Sequence, residues 1–245
     1  MCDTPDTDTG VAWLGWNELP ARPARNAIGA WIDLTYTLSP SVPRSAMFGP
    51  PKFTRIAQIP EQRANITQMD MVVHTGTHVD APRHFCADGP GMEAIPLDRL
   101  MGEGVVIRLE LSACEVITPE QLAAAAPAVE PGDIVAIDTG WKTRWETPDW
   151  TRHPYLSLEA TDWLIDKQVK LVAVDTINPD LPYDLRPADF GFPVHCALLR
   201  RGILIAEQVA NLEALSGKRA EFLFGALPIA DCDGAPTRVL ARAVA

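Results

Sequence analysis

Runs of apolar and β-branched residues, each closed by turn formers, recur at short intervals along the chain. The stretch 31–39 (WIDLTYTLS) alternates apolar and polar positions with the two-residue period of a half-buried strand. Residues 66–74 (ITQMDMVVH), 104–111 (GVVIRLEL), 133–141 (DIVAIDTGW), 171–176 (LVAVDT), 202–209 (GILIAEQV) and 221–230 (EFLFGALPIA) read as further strands. Helical signals are clear in two places. Thr118, Pro119 and Gln121 form a capping-box start for PEQLAAAA, and Ser157 can cap LEATDWLIDKQ. No third helix is expected. The 22 prolines fall mostly between these elements, and the proline-rich stretch 40–53 reads as an irregular loop. The pattern therefore predicts a β-rich α/β fold with few helices.

At 245 residues the chain suits one domain of about 200–250 residues. That domain is assigned to 29–245, with an N-terminal arm over 1–28. The polar, acidic residues 1–10 are expected to be disordered. Trp13, Trp16 and Trp31 lie around a Pro/Arg-rich stretch, so the rest of the arm is expected to pack on the body or on a second subunit. A net charge of −11, with no local block of Lys and Arg, argues against nucleic-acid binding. Cys2, Cys86, Cys114, Cys196 and Cys232 are odd in number and form no CxxC pair, so a reduced compartment is expected. No run approaches the ~20 apolar residues of a membrane helix, and MCDTPDTDTG lacks the basic start of a secretory signal. The expected location is cytoplasmic, away from membranes.

Against this background the segment 74–85, HTGTHVDAPRHF, stands out, because it holds three of the chain's five histidines. Gly76, two threonines, Val79 and Pro82 disfavour a helix. On a strand, His74, His78, Asp80 and His84 share one parity, with Gly76 leaving room above the backbone. Such a strand aims imidazoles and a carboxylate at one point, the ligand chemistry of Zn or Mn. Elsewhere, His153 lies in a polar, proline-bounded loop and reads as a surface residue. His195 enters an apolar run, and Glu207 follows within ILIAEQV. A carboxylate there is buried and needs a charge partner, which a metal would supply.

The segment HTGTHVDAPRHF resembles the signature HxGTHxDxPxHF of the metal-dependent cyclase family, which includes bacterial kynurenine formamidase and isatin hydrolase. His195 followed twelve residues later by Glu207, the strand end DTGW (138–141) and the segment AVDTINPD (173–180) support the resemblance by order and spacing. In that last segment Asn178 stands where serine is common. The resemblance implies a swivelling β/β/α fold, a homodimer, and a site for one or two Zn or Mn ions. It implies that His74, His78, Asp80, His195 and Glu207 are metal ligands and that His84 is the catalytic histidine.

The implied reaction is hydrolysis of a C–N bond in a linear or cyclic amide, an aryl formamide or isatin-like compound, with His84 as proton shuttle. Phe53, Phe85, Trp141 and Tyr183 are candidates for a flat apolar pocket around an aromatic substrate. Alternatives are a lactone hydrolase or polyol dehydratase of the same family, or a non-catalytic metal-binding protein that would not need His84. No GxSxG stands in the chain to suggest a serine nucleophile.

Overall fold

The computed structural model describes residues 11–21 and 25–245. The disorder expected for residues 1–10 lies outside them. The strands are β1 (Ile32–Asp33), β2 (Lys52–Ala57), β3 (Ile66–Asp70), β4 (His78–Asp80), β5 (Met101–Arg108), β6 (Val116–Ile117), β7 (Ile134–Asp138), β8 (Tyr155–Leu156), β9 (Leu171–Val174), β10 (Leu204–Glu207), β11 (Arg219–Ala226) and β12 (Gly234–Ala243). The helices are α1 (Leu97–Leu100), α2 (Pro119–Ala124), α3 (Leu158–Asp166) and α4 (Pro193–Leu199). The main sheet runs β1-β12-β11-β5-β7-β9-β10-β4, and β12 pairs again with β4. That second pairing closes seven strands into a barrel, with β1 added beside β12. The β-rich α/β expectation holds.

Strand parity builds two cores, one on each face of the barrel wall. On β7, Ile134 and Ala136 point into one cluster with Leu171, Ala173, Leu204, Ala206 and Phe222. Their neighbours Val135 and Ile137 enter a second cluster with Val172, Ile205 and the helix residues Leu122, Leu164, Leu198 and Leu199. A strand buried on both faces reads as a continuous apolar run, which is how IVAID and LVAV look in the sequence. Truncating such a residue, for example Leu198→Ala, costs about 2–5 kcal/mol.

Both marked helices form as capped. Thr118 and Gln121 make the reciprocal capping box on α2, and the Ser157 side chain accepts from the Ala160 N–H on α3. Other expectations need correction. Only Ile32–Asp33 of the 31–39 stretch forms a strand, with a single bridge from Thr35 to Val209. The 66–74 strand stops at Asp70, because it pairs only with β2 in a separate two-stranded ribbon. Beyond it the chain turns, and Gly76 adopts a φ of +69° in the left-handed region. Helix α4 was not expected; it hides inside an apolar run, and its one sequence signal is Pro193 at the first helical position. Strand β12 was missed as well, since arginines and Pro236 interrupt its pattern. Its core-facing Ala235, Val239 and Ala241 do alternate.

The described part of the arm packs on the body. The backbone N–H groups of Leu14 and Asn17 donate to the carbonyls of Arg200 and Arg201. Trp16 lies against Gly202, where an added Cβ would stand 2.7 Å from its ring, and the Arg99 guanidinium sits over the same indole. Trp31 instead stays exposed, with Arg242 over its ring.

Candidate metal centre

The register of two short strands assembles the first half of the site. In β4, Val79 points into the barrel core, so His78 and Asp80 point out of the opposite face. In β10, Leu204 and Ala206 point inward, so Glu207 points outward. Antiparallel pairing sets Glu207 directly opposite His78 and Ile205 opposite Asp80. The resulting contacts are His78 Nε2 to Glu207 Oε2 at 3.4 Å and to Asp80 Oδ1 at 3.3 Å. The His78 Nδ1 lies 2.8 Å from the Gly76 carbonyl, so it carries the proton and Nε2 is left as a lone-pair donor.

Helix α4 brings the second half. The Asp180 carboxylate accepts the backbone N–H groups of Val194 and His195 at 3.0 and 3.1 Å, and pairs with His195 Nδ1 at 2.5 Å. It thus fixes both the helix start and the ring. His195 Nε2 then faces Glu207 Oε1 at 3.0 Å and Asp80 Oδ2 at 3.6 Å. A carboxylate holding the remote nitrogen of an imidazole is the usual support of a metal-bound histidine.

His74 and His84 complete the cluster from outside the strand. The shared parity of four residues on one strand does not form: only His78 and Asp80 are in β4. His74 sits in the preceding turn, with Nδ1 2.8 Å from Asp80 Oδ1 and Nε2 2.9 Å from Asp233 Oδ2. Gly234 makes room for this ring, since a Cβ there would lie 2.7 Å from His74 Cε1. His84 ends the single 3-10 turn Pro82–His84, and its ring stacks on that of His74 at a centroid distance of 3.9 Å. It is also the most open of these histidines, its side chain 25% exposed against 8% or less for His74, His78 and His195.

Charge explains what such a cluster needs. Burial would raise the Asp80 carboxyl, but the imidazoles of His195, His74 and His78 hold it well below the usual range. Burial would lower His74, but Asp233 and Asp80 outweigh it and hold its pKa up at about 10. His195 is likewise opposed by burial and pushed well above its ordinary value by Asp180, Asp80 and Glu207. The carboxylates therefore demand positive charge in their midst. His78 Nε2 and Asp80 Oδ2 are buried with no hydrogen-bond partner among the described residues. Ligand atoms of His74, His78 and Asp80 lie within 4.8 Å of one another, as do those of Asp80, His84 and His195, and of His74, His84 and Asp233. This donor set of imidazole nitrogens and carboxylate oxygens fits a divalent metal ion.

The cluster opens into a cavity of about 680 Å³ that His74, His84, His195 and Glu207 help to line. Of the expected aromatic residues, Phe85 and Tyr183 line it. Phe53 and Trp141 do not. Phe53 lies on the solvent-exposed β2–β3 ribbon. Trp141 is buried under the strand ends: its backbone N–H donates to Asp175, and its indole N–H donates to the Trp150 carbonyl. His153 is not a surface residue either. It is fully buried and lines the cavity. Burial pushes its pKa down to about 4. The Asn178 amide lies 3.4 Å from His153 Nε2, and Nδ1 lies 2.9 Å from the Pro154 carbonyl, as suits a neutral ring with the proton on Nδ1.

Sequence reasoning missed Asp180, Asp233 and Arg186. Asp180 stands within the AVDTINPD segment, and Asp233 is the Asp of an Asp-Gly turn, a weak signal by itself. Arg186 has no local signal.

A barrel carrying a cavity-facing cluster of imidazoles and carboxylates has the donor set of a divalent metal site, with room beside it for a small molecule. More particularly, the model of the Cyclase family matches residues 32–181, and the chain belongs to that family. His195, Glu207 and Asp233 lie beyond the matched stretch. Kynurenine formamidase from Bordetella petrii is 28% identical over 183 residues, 75% of this chain and 83% of that protein. Isatin hydrolase A from Ralstonia solanacearum is 27% identical, with a TM-score of 0.77 over 86% of this chain and 91% of that one. Isatin hydrolase A from Labrenzia aggregata, at 24% identity, shares the fold with a TM-score of 0.80 over 88% and 94%.

Proposed function

We propose that this protein is a metal-dependent hydrolase that cleaves the C–N bond of a linear or cyclic amide, an aryl formamide or an isatin-like compound. The observation that carries this reading is the convergence of His74, His78, Asp80, His195 and Glu207 beside a cavity, with His84 next to them and open to it. Those five residues would hold one or two Zn or Mn ions. The bound ion would polarise the scissile carbonyl and acidify the attacking water. The chain's own residues do the rest. Phe85 and Tyr183 hold the aromatic part of the substrate. Asp180 and the Gly76 carbonyl fix the two rings whose Nε2 atoms face the centre. His84 takes a proton from the water as the C–O bond forms and gives it to the nitrogen as the C–N bond breaks. An amide nitrogen leaves poorly without that proton.

The β2–β3 ribbon supports a homodimer. A two-stranded ribbon is marginal by itself, yet this one exposes Phe53, Ile56, Ile66 and Met69. Light scattering at twice the chain's 26.7 kDa tests it; a monomer at micromolar concentration refutes it. No described helix is long and apolar enough to cross a membrane. The four described cysteines are free, in keeping with the reduced compartment proposed for this chain.

The experiment for the activity is elemental analysis of the purified protein together with a hydrolysis screen of aryl formamides, isatins and cyclic imides. Stoichiometric Zn or Mn, turnover abolished by a chelator, and loss of both metal and turnover in His78→Ala are expected. Active protein free of transition metal would sink the proposal.

A further inference from the structure

The cavity lining also includes a cation with no ion pair among the described residues. Arg186 is half-buried and lines the cavity together with His153 and Asn178. Its Nε donates to the Leu181 carbonyl at 2.7 Å, and one Nη lies 3.3 Å from Asn178 Oδ1. No carboxylate among the described residues forms an ion pair with it. The two nearby buried carboxylates, Asp180 and Glu207, are engaged with His195. The rings of Phe192, Phe190 and Tyr183 stand around the guanidinium at 4.6, 5.0 and 5.7 Å.

This placement is costly for stability. Burying a charge without an ion pair is unfavourable, and facing aromatic rings offset only part of the loss. A Met or Leu would fill the same space among three rings more cheaply. Two of the five guanidinium N–H groups are used, which leaves three to offer the cavity. The two hydrogen bonds and the rings hold the fork in one orientation. A fixed, planar fork with spare donors matches a carboxylate by two parallel bonds. His153 beside it is uncharged, so it can complete the polar pocket without repelling an anion or competing with it.

We infer that Arg186 is a specificity-determining residue that binds a carboxylate, or a similarly planar anionic group, at the end of the substrate remote from the scissile bond. The substrate class is then an aromatic amide bearing an acid group. The ring would lie between Phe85 and Tyr183, and the amide would face the His/carboxylate cluster. This inference rests on the hydrolase reading for the reaction, but not for the binding.

The test separates the two. Calorimetric titration of the purified full-length protein compares benzoate with acetophenone, a neutral ligand of similar size. In parallel, turnover of 2-, 3- and 4-formamidobenzoate is compared with that of formanilide. Benzoate should bind about 10–100-fold more tightly than acetophenone, the range of a charge-assisted hydrogen-bonded pair. At least one formamidobenzoate should show a KM lower than that of formanilide by a similar factor. In Arg186→Met and Arg186→Gln the ratio of the two dissociation constants should collapse toward one. Equal affinities in the wild type overturn the inference. So does a preference that survives both substitutions, because the carboxylate would then be held by the metal cluster. If neither variant folds, a crystal soaked with benzoate decides: a carboxylate on the Arg186 Nη atoms supports the inference, and one on the His/carboxylate cluster overturns it. Absence of turnover for all formamides, with the benzoate preference intact, would count against the hydrolase reading and leave Arg186 as an anion site.

Discussion

Two buried histidines line the same cavity and are driven in opposite directions. His195 stands among Asp180, Asp80 and Glu207, and these carboxylates hold it well above its ordinary pKa. His153 meets a backbone carbonyl and an amide, with the Arg186 guanidinium nearby, and burial takes it down to about 4. Burial is equal for the two; the partners differ. One wall of the cavity thus calls for a cation, and the other keeps a neutral imidazole beside a fixed guanidinium. A cavity polarised in this way favours one orientation of a polar, flat ligand. It also shows why an imidazole's role cannot be assigned from its burial alone.

The deepest break of the acidic wall is expected at His84, the proposed proton carrier. His84→Ala should keep its metal content near that of the wild type and lower turnover by about 10²–10⁴-fold. Metal analysis and kcat measured on the same preparation check this. A variant that loses its metal would make His84 a ligand, and one that keeps full activity would move the proton transfer to another group.

A milder change tests whether the carboxylates, rather than burial, set His195 apart. Asp180→Asn keeps the shape and the acceptor for His195 Nδ1 but removes the charge. Metal affinity should fall about 10–100-fold, as for other losses of a carboxylate behind a ligating histidine. Competition with a chromophoric chelator measures it. Unchanged affinity would show that Asp180 serves only the start of α4.

The smallest expected effect lies at the neutral wall. His153 has a folded pKa of about 4, below the ordinary 6.5. The unfolded chain therefore binds its proton first as pH falls. The stability tied to the neutral ring is fully present above about pH 6.5 and is lost progressively as pH falls toward 4. Between pH 7 and 4.5, the wild type should lose about 2 kcal/mol more stability than His153→Gln. Urea unfolding at the two pH values reads the difference, and equal losses in the two proteins would show that the ring is accessible to protons in the folded state.

The elements followed the sequence where local chemistry is strong. Thr118 with Gln121, and Ser157, announce α2 and α3, because a capping side chain satisfies backbone donors only at a helix start. The doubly buried strands announce themselves as apolar runs. Strand β12 and helix α4 did not, because their neighbours in space, rather than their own pattern, decide what they bury. Tyr183 and Phe85 reached the cavity while Trp141 and Phe53 did not, and no local pattern tells a pocket aromatic from a core or ribbon aromatic.

His74, His78, Asp80 and His84 were legible as a group because eleven residues of chain keep them close under almost any fold. Their arrangement was not. The sequence suggested one strand face, and the structure uses a turn at Gly76, a three-residue strand and a 3-10 turn to reach the same point. Glu207 met His78 only through the β4–β10 register, and His195 reached Asp80 only because Asp180 anchors α4. Asp233 lies 159 positions from His74 and touches it because β12 closes the barrel against β4. Composition and spacing along the chain determined which ligand chemistry this protein can have. Strand pairing and barrel closure, which are long-range contacts that no local window contains, decided which carboxylates share it and where the charged and neutral walls of the cavity lie.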